Sequence, residues 1–432
     1  MDKFYHAVNR YEDRCMGCTT CMKHCPSGAI RLKKGKAYII DEACTDCGEC
    51  ARVCPVHAIR TDRVKPESTE KYKYKVALPD PSFYAQFNNV QDPNVVMTAI
   101  SLCGYDDIFD VSDAAEVVSA LTRGYIRTHK DKWPIISTNC PSVVREIRIR
   151  FPRLVDHLLP IMPPQEVAGI LARRRFVDKM GVKPEEVGII YFSPCPAKIT
   201  NTIVPLGNVK SSIDEVLAIK DVYPQVLSKM KEANANPKAF SRAGRLGLGW
   251  AVSGGEAKAS MSGNYLYADG MTEIIRVLEA LEDEKMNPEL EFIELNACSG
   301  GCVGGILQVE NTYAARAKVK YMQGFVEKTD LDWCMRKFAK TGESIDWTEM
   351  VQYENVLSLG DTFIENMENM GKVEALYEKL PKIDCGFCGA PTCRVFAEDV
   401  VKGKQKANAC LYLADEEEIL RRIRRVKEIH NS

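Results

Sequence analysis

The sequence predicts an α/β fold whose central region is built on parallel sheets flanked by helices. A small α+β domain is expected before it and a small helical domain after it. Three observations predict this. Between about residue 77 and about residue 345, apolar strand-like runs alternate with helical patterns. Ahead of that region one four-cysteine motif occurs twice. Behind it, a further four cysteines lie within "DCGFCGAPTCRVFAEDVVKGKQKANAC". The expected divisions are residues 1–75, 76–345 and 346–432.

Bulk properties narrow the class. A chain of 432 residues suggests two to four domains at roughly 150 residues each. The net charge of −1 leaves no positive field to recruit nucleic acid or an anionic membrane. No apolar run reaches the roughly 18 residues that span a bilayer. The N-terminal "MDKFYHAVNRYEDRC" lacks the apolar core of a signal peptide. A cytoplasmic location is therefore expected. Eighteen cysteines are many for a reducing compartment, where disulfides are rare, so close regular spacing points to metal.

At the front, "CMGCTTCMKHCP" and "CTDCGECARVCP" both read CxxCxxCxxxCP, the bacterial ferredoxin spacing for two 4Fe–4S clusters. The fourth cysteine of each motif reaches across to the other cube. Cys15, Cys18, Cys21 and Cys54 are thus expected on one cluster, and Cys44, Cys47, Cys50 and Cys25 on the other. Zinc is the alternative, but it gives no reason for repeating the whole motif. "AIRLKKGKAYIID" between the motifs reads as a hairpin, and "RTDRVKPESTEKYKYK" as a linker.

In the middle, three apolar runs end in cysteine loops. "WPIIST" leads to Cys140, with Pro141 opening a helix. "VGIIYFS" leads to Cys195, and "LEFIEL" leads to "NACSGGCVGG" with Cys298 and Cys302. Ligands collect at the carboxyl ends of strands in open parallel sheets. These four thiolates are therefore expected to meet at a further cube, with structural burial the alternative for Cys140 and Cys195. Cys103 and Cys334 remain and are expected to pack as small hydrophobes. A fourth glycine loop, "GWAVSGGEAK", is expected to line the same pocket.

At the back, Cys385, Cys388, Cys393 and Cys410 are expected to hold a fourth 4Fe–4S cluster, again with zinc as the alternative. Tight glycine turns let backbone N–H groups approach cluster sulfurs. Pro391 and Thr392 are expected to start a helix carrying Cys393. The terminal "ADEEEILRRIRRVKEIH" reads as an amphipathic helix with a basic, solvated face.

The three middle loops resemble the motifs TSCCP, MPCxxK and ExMACxGGCxxGG of the diiron (FeFe) hydrogenases. Here they read "STNCP", "SPCPAK" and "ELNACSGGC". The resemblance implies a two-lobed hydrogenase domain, preceded by a two-cluster ferredoxin domain. It also implies a six-iron H-cluster: a cube bridged through Cys302 to a diiron unit bearing CO, cyanide and an azadithiolate. Lys198 would hold a cyanide by a charge-assisted hydrogen bond. Ser193, Pro194, Lys198, Ser253, Gly254, Gly255, Asn296 and Gly301 would line the cofactor.

The sequence departs from the catalytic pattern. Asn139 stands where the family has a proton-passing cysteine, and an amide does not titrate near neutral pH. Ser193 and Asn296 replace methionines. Pro163 takes the place of a serine, and Leu121 and Thr122 fall loosely where the family has two acids. Glu256 and Glu294 are the expected substitutes as proton carriers, since buried acids have raised pKa values. For Glu256 the alternative is a cap on the helix it begins. These departures resemble the divergent sensory branch of the family. The expectation is slow interconversion of H2 with protons and electrons, with a ferredoxin-like carrier, maturation proteins, a signalling partner and a homodimer as candidate associations. The alternative is a non-catalytic electron-transfer or cluster-assembly protein without the diiron unit.

Overall fold

A computed structural model describes residues 5–414; the expected basic terminal helix lies outside the described residues, apart from its first position. The chain forms two compact units. One holds the residues up to Val8, Thr45–Gly48 and Thr61–Glu354; the other holds Asn9–Cys44, Glu49–Arg60 and the chain from Asn355. This division differs from the three consecutive domains expected from sequence, because the front and back segments fold together.

The larger unit carries two parallel sheets. In the first, the strands run in the order Asp107–Ile108, Tyr74–Pro79, Val187–Ser193 and Glu215–Ala218. Every residue of "VGIIYFS" is buried, the signature of a parallel strand covered on both faces. Alternate side chains serve opposite cores. Val76, Leu78, Ile189 and Tyr191 pack with Val118, Val167 and Phe176 on one face. Ala77, Ile190 and Phe192 pack with Phe83, Val96 and Val226 on the other. Each large apolar side chain buried this way contributes roughly 1.5–3 kcal/mol.

The second sheet runs Tyr265–Asp269, Phe292–Asn296, Ile135–Ile136, also parallel throughout. Its core joins Ile136, Ile293 and Leu295 to Val143, Ile147 and Ile274 on the covering helices. Because all strands in each sheet point one way, the loops after Ser193, Ile136 and Asn296 leave from carboxyl ends. The stretch read as a linker is partly structured. It holds a 3-10 turn at Pro66–Lys71 and the start of the Tyr74–Pro79 strand. Cys334 is buried in the main core, and Cys103 is half-buried, its thiol on the Ala99 carbonyl at 3.2 Å.

In the smaller unit the expected hairpin forms between Ile30–Lys33 and Lys36–Ile39, antiparallel with Ile30 opposite Ile39. Thr392 caps the Cys393–Val401 helix by accepting from the Val395 N–H at 3.1 Å. Its core holds Val373, Leu380, Phe396, Cys393 and Cys410. No described helix is long and apolar enough to cross a membrane.

Candidate metal centre

Three of the middle cysteines stand at helix starts. Cys140 precedes the Pro141–Arg150 helix and Cys195 precedes Pro196–Ile203. Cys302 opens a 3-10 turn through Gly304. Proline at the first helical position suits both longer helices, since that N–H would lack a partner anyway. The three thiols are close enough to repel one another as thiolates. Burial pushes the Cys195 thiol up to about 12; Lys198 opposes the rise and Cys140 adds to it. Burial raises Cys302 too, against Lys198 and with Asp80, Cys195 and Cys140. A bound metal would hold such a donor set as thiolates.

Cys298 belongs to the same turn, its carbonyl accepting from the Gly301 N–H at 3.0 Å. The turn is strapped to both neighbouring loops. The Ser253 N–H donates to Gly300 O at 3.1 Å, Val303 N–H to Ala251 O at 3.0 Å, and Leu307 N–H to Pro194 O at 3.0 Å. Gly301 is at φ 90°, and a Cβ there would stand 2.5 Å from the Ser253 nitrogen, so no side chain fits. Ser193 braces the Cys195 loop by donating its hydroxyl to the Cys195 carbonyl at 2.9 Å. Two buried polar atoms here lack a partner among the described residues: Ser253 Oγ and Gln308 Oε1, whose amide nitrogen holds the Cys302 carbonyl at 3.0 Å. Half-buried thiols, a cradle without side chains and unused polar atoms all fit a bulky iron–sulfur group.

Lys198 is no surface lysine. It is 5% exposed and donates to Asp80 Oδ2 at 3.1 Å and Tyr191 Oη at 3.2 Å. Tyr191 in turn donates to the same Asp80 oxygen at 2.5 Å. Burial alone would neutralise Asp80. The Lys198 ammonium and hydrogen bonds from Ser82 and Tyr191 overcome it and hold the carboxyl below its usual range. Burial likewise opposes the Lys198 charge, but Asp80, Cys302, Tyr191 and Cys195 keep it protonated. Sequence reasoning missed Asp80 and Tyr191. Asp80 did leave a signal, since it precedes Pro81 at the end of an apolar run and caps the helix there.

The two candidate acids divide the roles left open above. Glu294 is the helix cap: it accepts from Gly254 N–H at 2.9 Å, Ala257 N–H at 2.7 Å and Asn296 Nδ2 at 2.6 Å. Glu256 sits on the Gly255–Ala259 helix but turns away and accepts from Ser137 Oγ at 2.6 Å. Burial and the neighbouring Glu294 push Glu256 up to about 8, with Ser137 and Lys198 opposing. Ser137, also missed, accepts from the buried Asn139 N–H at 3.3 Å. The Val111–Thr128 helix carries Leu121 and a buried Thr122, yet its earlier turns hold Asp113 and Glu116. Burial and Asp110 raise Asp113 to about 7, and burial raises Glu116.

In the smaller unit, Cys15, Cys18, Cys21 and Cys54 line one cavity. Burial, then the other three sulfurs, push Cys21 up to about 11. Ala37 N–H points at Cys15 Sγ at 3.3 Å and Ala58 N–H at Cys54 Sγ at 3.2 Å, the bonds that tune cluster sulfurs. Cys25, Cys44 and Cys50 also belong to this unit, whereas Cys47 belongs to the larger one. At the back, burial raises Cys388, and Cys410 and Cys385 add to the rise; Cys393 shares a core with Cys388 and Cys410, and Cys385 is exposed.

A family model described as the iron only hydrogenase large subunit, C-terminal domain, matches residues 73–262 and 251–306, together more than half the chain. A 4Fe–4S dicluster domain matches residues 14–59, and an Fe–S cluster family matches 380–412. Iron hydrogenase 1 of Clostridium pasteurianum is 24% identical over 298 residues, 56% of this chain and 51% of the relative. The periplasmic Fe hydrogenase large subunit of Nitratidesulfovibrio vulgaris is 25% identical over 363 residues, 69% of this chain and 86% of the relative. The match to the Clostridium protein thus spans about half that relative's length. Among solved structures, an FeFe-hydrogenase from Chlamydomonas reinhardtii superposes with a TM-score of 0.50 at 14% identity. The match covers 67% of this chain and 96% of that one, a likeness of fold.

Proposed function

We propose that this chain, which belongs to the iron-only hydrogenase large-subunit family, slowly interconverts H2 with protons and electrons as a hydrogen sensor or redox regulator. The observation that carries this reading is the buried Lys198–Asp80–Tyr191 group beside Cys140, Cys195 and Cys302. A non-catalytic cluster site has no need of a desolvated ammonium held between a carboxylate and thiols.

Cys140, Cys195, Cys298 and Cys302 would hold the six-iron group. When bound, that group supplies the bond chemistry of H2 and the electrons pass to 4Fe–4S clusters. Lys198 presents a fixed positive charge to anionic ligands of the group. Gly301 and Ser253 form its backbone cradle. Glu256 holds a proton near neutral pH, and Ser137 receives or returns it at Oγ. Asn139 contributes no titrating atom, so turnover is expected to fall by ~10²–10⁴ relative to a site with a positioned donor.

A ferredoxin-like carrier and maturation proteins complete the proposed cycle. A signal leaves as electrons or as a shape change felt by a separate partner. The test is infrared spectroscopy and H2 uptake on matured, purified chain. CO and cyanide bands with slow uptake are expected. Their absence would sink the catalytic reading and leave a cluster-only protein.

A further inference from the structure

We propose that the C-terminal cysteine module exchanges electrons directly with the Cys15–Cys18–Cys21–Cys54 centre, through backbone contact between the Cys388 loop and the front hairpin. This rests on the cluster reading above. It adds an order to the carriers and names the residues that set it.

The hairpin residue Leu32 does two things. It lines the cavity that the four front cysteines share. Its N–H also donates to the carbonyl of Gly389, the residue after Cys388, at 2.8 Å. One peptide unit and one hydrogen bond therefore join a back ligand to the wall of the front centre. The approach is backbone on backbone. Gly389 is at φ 88°, and a Cβ there would stand 2.5 Å from the Leu32 oxygen, so any side chain would force the two segments apart.

A second contact lies beside another back ligand, here glycine backbone against side chains. A Cβ on Gly386, which follows Cys385, would meet Met22 Cε at 3.0 Å. Met22 is fully buried and follows Cys21. Lys23 Nζ donates to the Asp384 carbonyl at 2.5 Å. Beside both contacts lies a clamp. Arg31 on the hairpin pairs with Asp399 on the Cys393–Val401 helix at 2.5 Å, and both side chains are largely buried. Arg31 also donates to the Gly28 carbonyl at 2.6 Å, which fixes its direction.

Orbital overlap between two centres decays steeply with the gap between them. The Leu32–Gly389 contact, made without an intervening side chain, keeps that gap small. The transfer is a single electron from a reduced cube to an oxidised one, with no bond made or broken.

The test uses the full chain with its clusters assembled, reduced by dithionite, and read by electron paramagnetic resonance at graded reduction. In the wild type, the signals of the front and back clusters should broaden and relax faster once both are reduced. Gly389→Val should remove that interaction while iron and sulfide content stay unchanged. Asp399→Asn, a milder change, should weaken it. Non-interacting signals in the wild type, or broadening that survives both variants, would overturn the proposal. Missing clusters at either set of cysteines would overturn the cluster reading instead, and this inference with it.

Discussion

Lys198 and Glu256 show how two buried ionisable groups can be placed for opposite purposes. The Lys198–Asp80 pair is kept ionised on both sides. Breaking a buried pair leaves one charge without a partner, at a cost of about 3–5 kcal/mol. Lys198→Met should therefore lower the urea midpoint sharply, and adding Asp80→Asn should restore much of it. Glu256 is instead kept protonated. Its folded pKa of about 8 lies above the usual 4.5, so the folded state holds a proton that the unfolded state releases. That contribution to stability is complete below pH 4.5 and is lost as pH rises through about 8. In melting curves taken across that window, Glu256→Gln should flatten the slope. In hydrogen assays the same variant should lose ~10²–10⁴ in rate if Glu256 carries the proton. Unchanged turnover would remove it from the pathway.

At the level of elements, the site depends on short loops held by backbone bonds. Gly301→Ala places a Cβ into the Ser253 nitrogen at a positive φ, a strain of about 1–3 kcal/mol before any clash is counted. Metal analysis should show iron lost from the central site while the front and back motifs keep theirs. Glu294 works on the neighbouring element, holding the first N–H groups of the Gly255–Ala259 helix. Glu294→Gln keeps an acceptor there and should cost about 0.5–2 kcal/mol, as a weakened cap does. Its effect on turnover should be far smaller than that of Glu256→Gln. The reverse order would exchange the roles of the two acids.

For the molecule as a whole, the division into units is itself a statement about cooperativity. Arg31 and Asp399 are separated by 368 positions yet share a buried ion pair. Amide exchange should therefore show the Ile30–Ile39 hairpin and the Cys393–Val401 helix losing protection together as denaturant rises, as segments of one cooperative unit do. Independent loss would mean that the back module only rests on the front one.

The sequence alone determined the cysteine motifs, the strand-to-helix passages at Cys140 and Cys195, and the alternation that makes parallel sheets. Each of these is local: ligand spacing, a proline at a helix start and side-chain period are set by neighbours a few residues apart. Only the tertiary structure decided what the charges do. Asp80 meets Lys198 across 118 positions, and Ser137 meets Glu256 across 119. It also decided that Glu294, not Glu256, caps the helix, and that the Asn9–Cys44 and Glu49–Arg60 segments fold in one unit with the cysteine module at the back. Those outcomes follow from burial, which makes a polar group costly unless a partner is present. Which partner arrives depends on how the sheets stack, and no short stretch of sequence encodes that.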